Sequence, residues 1–304
     1  MRQRRTWRSV AGGACILAAL GTSATAGAEV PLHEIYFHDA ARNRVGDTVI
    51  VQTNPETEIL VFNGGELALE GRNLIVIARH ARIDADTFIR SFTLAARRAK
   101  AGEPGQAANG PDGAKDGDPG GNGAPGKSGA AGDDGAAAGK LVLRIGSVSG
   151  AGRLIVDLSG QDGGKGQRGG QGGDGGNGRN GREQACGADG SRANGGDGGS
   201  GGIGGQGGQG GRGGSGGIVV YSEAMSPLIA SRHLLIDTAA GRPGAGGDPG
   251  EAGNPGSGGI GGAGVMGCGN AGADGAQGGR TSGALPGSAG QPGGAGTAVE
   301  EETP

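Results

Sequence analysis

A phosphate-binding loop is the first chemistry that the residues suggest. Residues 121–128 read Gly-Asn-Gly-Ala-Pro-Gly-Lys-Ser and match the phosphate-loop pattern at every fixed position. Such a loop needs a buried strand before it and a helix after it, because main-chain N–H groups and the helix end hold the phosphate. Here no apolar strand precedes the match, and Gly-x-y triplets follow it. A chance match inside a glycine repeat is the better interpretation, so we expect no nucleotide cofactor.

Metal ligation is the second possibility, and the spacing of the ligands argues against it. Residues 169–174 resemble the start of a calcium-binding nonapeptide repeat, but Gly176 stands where that repeat needs an apolar residue. No serine-nucleophile elbow, zinc-protease helix or Cys-x-x-Cys pair occurs. We therefore expect no bound metal and no enzymatic activity. The histidines form no metal-binding pair and lack a third ligand; they are His33, His38, His80 and His233.

A row of polar side chains is the third candidate, as a contact site rather than a catalytic one. In residues 160–183 one position of each triplet is polar, which places these side chains on one face about 9 Å apart. A mixed-charge row suits contact with surface carbohydrate or extracellular matrix, and a solubilising role explains it equally well. This polar ladder consists of Asp162, Lys165, Arg168, Gln171, Asp174, Asn177, Asn180 and Glu183.

The composition limits the scaffold that can position such residues. Glycine supplies 78 of the 304 residues, and aromatic residues make up only 2%. Apolar residues are confined to a few short runs, so a large hydrophobic core cannot form. This composition argues against a conventional enzyme scaffold.

The first 28 residues read as a signal peptide. Four arginines precede a short apolar stretch, and Ala26-Gly27-Ala28 fits the small-x-small cleavage rule. The apolar stretch is too short to span a membrane, so we expect no membrane span in the mature chain. Export to the cell envelope or the extracellular space is predicted.

Removal of the signal changes the charge. The mature chain keeps 27 − 4 = 23 basic residues against 30 acidic ones, a net charge of −7. Evenly spread negative charge argues against nucleic acid as a partner. Two cysteines remain, Cys186 and Cys268, and in an exported protein a lone pair is read most simply as one disulfide.

Short strands are predicted wherever β-branched residues cluster between Gly, Asn and Pro turns. Four such runs lie at 48–51, 58–62, 66–70 and 73–78. A rung also recurs, because residues 72–76, 153–157 and 232–237 resemble one another, each following another strand. These features favour a parallel β-solenoid.

Glycine tracts with a period of three separate these strands. Between residues 160 and 217 glycine occupies every third position except Gln184 and Ala193. A period of three matches a collagen triple helix or a bundle of polyglycine II helices. Only 13 prolines occur, and residues 196–217 place glycine at two positions of each triplet, which lets neighbouring backbones approach closely. Both features favour the bundle.

The predicted fold class is mainly β plus polyproline or polyglycine II: a small parallel β-solenoid-like base with three Gly-rich hairpins that form a six-helix polyglycine II bundle. Both cysteines fall where the period breaks, so a Cys186–Cys268 disulfide would join two hairpin tips. The hairpin of residues 160–217, with two glycine faces, is expected between the other two. The predicted regions are 1–28 (signal), 29–100 (β), 101–140 (hairpin), 141–159 (β), 160–217 (hairpin), 218–240 (β), 241–298 (hairpin) and 299–304 (acidic tail).

The Gly-x-y pattern over roughly residues 102–298 resembles exported bacterial collagen-like proteins. In architecture it is similar to the polyglycine II bundles of springtail antifreeze proteins and of phage tail-tip adhesins. The resemblance implies a secreted or cell-surface structural or adhesive protein without catalysis. Three alternatives stay open at this point: an ice-binding protein, a trimeric collagen-like triple helix, and glycine tracts that are simply disordered linkers.

Overall fold

The computed structural model of the chain describes residues 28–32, 34, 47–102, 105, 108–183, 194–264 and 271–301. The regular elements of these residues are nine β-strands, one 3-10 turn and one short α-helix, α1 (Ser226–Ala230). The strands are β1 (Ala28–Pro31), β2 (Thr48–Gln52), β3 (Glu58–Ala68), β4 (Asn73–Arg90), β5 (Lys140–Gly150), β6 (Leu154–Asp157), β7 (Ile218–Ser222), β8 (Leu234–Asp237) and β9 (Thr297–Glu301).

The named strand pairs are parallel and stack in three runs. One run follows the order β2, β4, β5, β7, β9. The second run is β1, β3, β4, β5, and the third is β3, β4, β6, β8. The long strands β3, β4 and β5 therefore each take part in more than one run, which holds the runs together.

The core forms because the parallel register places apolar residues of one strand beside apolar residues of the next. Val51 lies beside Val76, and Val76 lies beside Leu143. All three side chains are fully or almost fully buried. Burying an aliphatic side chain of this size stabilises a fold by roughly 1.5–3 kcal/mol. A column of such residues therefore stabilises the stack at every rung.

The predicted fold class is wrong. The regular structure of the described residues is a mostly parallel nine-stranded sheet that is not closed, with one short helix, instead of a small base under a six-helix polyglycine II bundle. The described glycine-rich residues belong to no helix. The physical reason is the distribution of apolar side chains. They lie in the strands, and only a sheet that draws strands from the whole chain can bury them together.

The predicted rung repeat is half right. Leu154 pairs with Leu234, so the second and third copies of the repeat occupy equivalent places in β6 and β8. The first copy does not, because Leu74 pairs with Leu141 in a different run. The partner of Leu154 in β4 is Thr87. The position in β4 that is equivalent to Leu154 and Leu234 is therefore a threonine, in a stretch that does not resemble the repeat in sequence.

Three glycine-rich tracts connect the strands. Tract one (residues 99–138) lies between β4 and β5, tract two (160–217) between β6 and β7, and tract three (239–296) between β8 and β9. Each runs away from the sheet as an outgoing segment and comes back as a returning segment. Among the described residues, the outgoing segments are 99–102, 105 and 108–117, then 160–183 and 239–261; the returning segments are 118–138, 194–217 and 272–296.

Main-chain hydrogen bonds join the tracts in two layers. Hydrogen bonds between parallel segments link outgoing with outgoing and returning with returning segments. Gly163, for example, donates to Arg242, and Gly129 donates to Gln206. Antiparallel bonds link outgoing with returning segments, as when Gly208 donates to Gln167. Tract two bonds to both other tracts, which confirms that it lies between them.

The strands set the register of the tracts. Asp157 in β6 pairs with Asp237 in β8, eighty residues on. The outgoing segments keep that separation, since Gly163 donates to Arg242, the neighbour of the residue eighty positions on. Ile218 in β7 likewise pairs with Thr297, and the returning segments keep that separation of seventy-nine. The tracts therefore continue the ladder that the stacked strands begin.

Candidate functional site

The predicted polar ladder lies on the outgoing segment of tract two, and its side chains are half-buried or exposed. The outgoing segment of tract three runs beside it in parallel. The ladder side chains therefore have a neighbouring chain within reach as well as solvent. How each side chain is used decides whether the row is free to meet a partner.

Four ladder side chains accept hydrogen bonds from the main chain of tract three. Asp162 and Asp174 each accept through Oδ1 at 2.7 Å, from the N–H groups of Arg242 and Asn254. Two further pairs do the same at 3.0 and 2.9 Å: Asn177 with Ser257, and Asn180 with Ile260. These N–H groups belong to the residues that face outwards, so the carboxylates and amides satisfy donors that would otherwise have no protein partner.

Two basic ladder residues form ion pairs with tract three. The Arg168 guanidinium lies 2.6 Å from the Glu251 carboxylate, and Lys165 Nζ lies 3.9 Å from the Asp248 carboxylate. All four side chains are more than half exposed. Exposed pairs of this kind are worth only about 0–1 kcal/mol. Their effect is to use charged groups internally rather than to stabilise the fold strongly.

Gln171 and Glu183 complete the ladder, and neither has a side-chain partner among the described residues. Six of the eight predicted contact residues therefore bind the neighbouring tract. The row is visible in the sequence, but its partners are not. Those partners lie about eighty residues away, so finding them needs the strand register.

The returning segments use the same device at positions that the sequence analysis missed. Asn122 Oδ1 accepts from the Ser200 N–H at 2.8 Å, and Asp134 Oδ1 accepts from the Arg212 N–H at 2.7 Å. Asn194 and Asp197 bind tract three in the same way. In these four pairs the acceptor side chain lies one tract before the N–H group that it binds, at a separation of 78 or 79 residues.

The outward face of the returning layer is different in character. We define the returning face as three rows with three-residue spacing, at positions 122–137, 200–215 and 279–294. Asp134 and Arg212 are its only charged residues. In the middle row Ile203 is 49% exposed, and Gln206 and Gln209 are exposed without a side-chain partner among the described residues. The returning face is therefore uncharged over most of its area and largely free of internal contacts.

The phosphate-loop match folds in a way that leaves no phosphate cradle. The N–H groups of Gly123 and Gly126 donate to Ser200 and Ile203, and the N–H of Ala124 donates to Ala108. Residues 121–128 are extended, with no helix after them. These three N–H groups are therefore already bound to carbonyl oxygens.

The described metal-ligand candidates are likewise engaged or scattered. Asp174, in the calcium-like motif, accepts from Asn254. His80 and His233 pair through Nδ1 with Ser147 (2.8 Å) and Ser231 (3.1 Å). The described residues contain no cluster of three metal-ligating side chains. His33, His38, Cys186 and Cys268 lie outside the described residues, so the disulfide stays a prediction.

An open hollow of about 460 Å³ lies beside β3 and β4. Its most buried polar residue, Glu58, accepts a hydrogen bond through Oε2 from the Asn54 N–H at 2.8 Å. That bond closes the turn before β3. The hollow therefore offers no buried polar group aimed at a ligand.

Ion pairs on the outer surface of the sheet join neighbouring rungs. Arg153 pairs with Asp86, and its side-chain hydrogen bond holds the pKa of that carboxyl below its usual range. Arg144 binds Glu301 through two nitrogens, which lowers the pKa of Glu301 in the same way. Glu301 ends β9, so this pair attaches residues that the sequence analysis assigned to the acidic tail.

Comparison with known proteins gives little guidance. No protein-family model matches the chain, and no curated protein matches it. Among solved structures, a springtail antifreeze protein from Granisotoma rainieri is similar at 26% identity, over 58% of this chain and 95% of that chain. It is described as a nine polyproline type II helical bundle whose crystal waters match the ice lattice. The TM-score is 0.15, so the match carries no argument about fold. The comparisons give no support to the collagen-like resemblance.

Across the described residues no helix has both the length and the apolar character that a membrane crossing requires.

Proposed function

We propose that the protein is an exported structural or adhesive protein without catalytic activity, and that the returning face is its contact surface. The observation that carries the proposal is the continuous register. The tracts extend the strand ladder far beyond the sheet, with a hydrogen bond at nearly every third residue of each described segment. Such an array holds its side chains on a fixed lattice.

Rigidity is the property that distinguishes this array from a flexible linker. Glycine loses more conformational freedom on folding than any other residue. A glycine-rich chain orders only when many bonds offset that loss, at roughly 0.5–1.5 kcal/mol for each net hydrogen bond. The described residues of tract two supply donors to both neighbouring tracts, so hydrogen bonds hold the described part of the tract on both sides.

The choice of face follows from how the side chains are used. On the outgoing layer, polar groups bind the neighbouring tract. On the returning face, Gln206 and Gln209 are exposed, and the residues beside them in the neighbouring rows are Ser128, Ala131, Leu285 and Ser288. Small and uncharged groups of this kind suit a neutral surface that carries hydroxyl groups, such as an insoluble polysaccharide.

A pull-down with the mature chain (residues 29–304) tests the proposal. The probes are cellulose and chitin particles, and collagen-coated beads stand for the matrix alternative. We expect retention on at least one probe, and a several-fold loss of retention with Gln206→Glu. The matched control is Gln171→Glu, the same change in the same tract on the outgoing layer, which should bind as the wild type does. No retention on any probe, or an equal loss with both variants, would contradict the proposal.

Ice is a second candidate surface, favoured by one observation. The returning face is periodic and uncharged over most of its area, whereas most of the charged residues lie on the outgoing layer. Thermal hysteresis and ice-crystal shaping measured on the mature chain test this directly. Thermal hysteresis in the wild type that Gln206→Glu abolishes would favour ice over polysaccharide. Ice crystals of unchanged shape would contradict ice binding.

A further inference from the structure

The outer edge of tract three is the place where another extended segment would add to the layers. In tract two, one glycine of each triplet donates its N–H to tract three. Gly163, for example, donates to Arg242 and Gly207 donates to Leu285. The equivalent residues of tract three donate to no main-chain carbonyl among the described residues. N–H donors at these positions would therefore be able to bind the carbonyl oxygens of one more extended segment, in the same way that tract-two donors bind tract three.

The residue types at these donor positions change abruptly between the two tracts. In tract two, all sixteen donor positions, 160 to 181 and 195 to 216 in steps of three, are glycine. In tract three the equivalent positions include five prolines. They are Pro243, Pro249, Pro255, Pro286 and Pro292. Proline has no N–H, so these five donors are absent.

The spacing of the prolines is as informative as their number. Within each segment they stand six residues apart, so they remove alternate donors between positions 243 and 255 and between positions 286 and 292. A docking segment needs a donor every three residues, as the tract-two to tract-three contact does. Tract two, where these donors bond to the next tract, contains no proline.

We propose that these five prolines close the outer edge of tract three against a second copy of this chain. An extended chain with unpaired N–H groups is a template for further chains, and natural sheets place proline on such edges to prevent association. Here the same device ends a glycine-rich array. It lets the protein keep an ordered, repetitive surface without stacking on other copies edge to edge.

Replacement of the prolines by glycine tests the proposal. The variant Pro243→Gly/Pro249→Gly/Pro255→Gly/Pro286→Gly/Pro292→Gly restores all five donors to the mature chain. Size-exclusion chromatography with light scattering should show a concentration-dependent rise from the monomer mass to a dimer or larger species. Hydrogen exchange should show protected amides at positions 243, 249 and 255 in the associated form.

The matched control is Ala252→Gly/Ala289→Gly/Ala295→Gly, in the same rows. It adds glycines and flexibility but no new N–H, so the monomer mass should not change. If the five-fold variant does not fold, Pro243→Gly/Pro249→Gly/Pro255→Gly replaces it with the same expected association. A folded proline variant that stays monomeric with unprotected amides overturns the proposal. Association of the alanine control to the same extent also overturns it.

Discussion

The carboxylate of Asp162 accepts a hydrogen bond from the main-chain N–H of Arg242, 2.7 Å away and eighty residues further along the chain. The same separation joins Asp174 to Asn254 and Asn177 to Ser257. These side chains bind outward-facing N–H groups that the glycine ladder does not use. These side-chain acceptors therefore help to fix the register between tract two and tract three.

Substitutions of Asp174, one of these side-chain acceptors, should lower the free energy of unfolding by graded amounts. Asp174→Ala removes the acceptor for the Asn254 N–H and should lower the free energy of unfolding by about 0.5–1.5 kcal/mol, the net value of one such bond. Asp174→Asn keeps an Oδ1 acceptor, as Asn177 does naturally, and should cost less than half as much. Urea unfolding of the mature chain followed by circular dichroism measures both.

Gln171→Ala is the control for this series, because Gln171 has no side-chain partner among the described residues. Its free energy of unfolding should match the wild type within about 0.5 kcal/mol. Equal destabilisation by Gln171→Ala and Asp174→Ala would mean that the ladder acts only through general polarity of the surface.

Most strands could be predicted from the sequence because their residues are β-branched and alternate between buried and exposed. The predicted run 48–51 lies within β2, and the run 73–78 begins where β4 begins. β4 nevertheless continues to Arg90. Its later part places charged Arg82 and Asp84 beside buried Ile83, and two ion-pairing residues so close together read as a loop.

The candidate site was harder to predict than the strands. The polar ladder was visible as a periodic row, but its partners depend on which residues lie side by side. That choice is made by the stacking of β6 on β8, where Leu154 meets Leu234. Sequence periodicity repeats every three residues and fits many registers equally well. Only the aperiodic strands select one of them.

Acid should weaken the rung-to-rung ion pairs. Hydrogen bonds from Arg153 and Arg144 hold the pKa values of Asp86 and Glu301 below their usual range, and Arg82 does the same for Asp84. A carboxyl group with a lowered folded-state pKa stabilises the fold above its unfolded pKa, near 4, and this contribution is lost as the pH falls through the folded pKa. The melting temperature should therefore be level above about pH 5 and fall below about pH 4.

The variant Asp84→Asn/Asp86→Asn/Glu301→Gln tests the cause of this acid sensitivity. It removes the three titrating groups but keeps their size, so its melting temperature should depend less steeply on pH between about 4 and 2. All three carboxylates are at least one-third exposed to solvent, so added salt should weaken the wild-type effect by screening. An unchanged slope in the variant would assign the acid sensitivity to other carboxylates.

Cys186 and Cys268 are predicted to form one intramolecular disulfide. They are the two cysteines that remain if the predicted signal peptide is removed, and each falls at a break in the glycine period. Peptide mapping by mass spectrometry without reduction should find one linked pair within a monomer. Alkylation of both thiols before reduction would contradict the prediction, and a linkage between two chains would point to a covalent dimer.

Glycine at position 205 is required by the close approach of tract one. A methyl group at Gly205 would overlap the carbonyl oxygen of Lys127, a main-chain atom that cannot move without breaking the layer. Gly205→Val should therefore destabilise the protein by several kcal/mol, at the severe end of the range for single substitutions, or prevent ordering of tract two. Gln206→Val, one residue away with its side chain exposed, should change the free energy of unfolding by less than about 0.5 kcal/mol. Limited proteolysis should cut tract two rapidly in the first variant and slowly in the second. Equal protease resistance of the two variants would mean that the tracts are not closely packed.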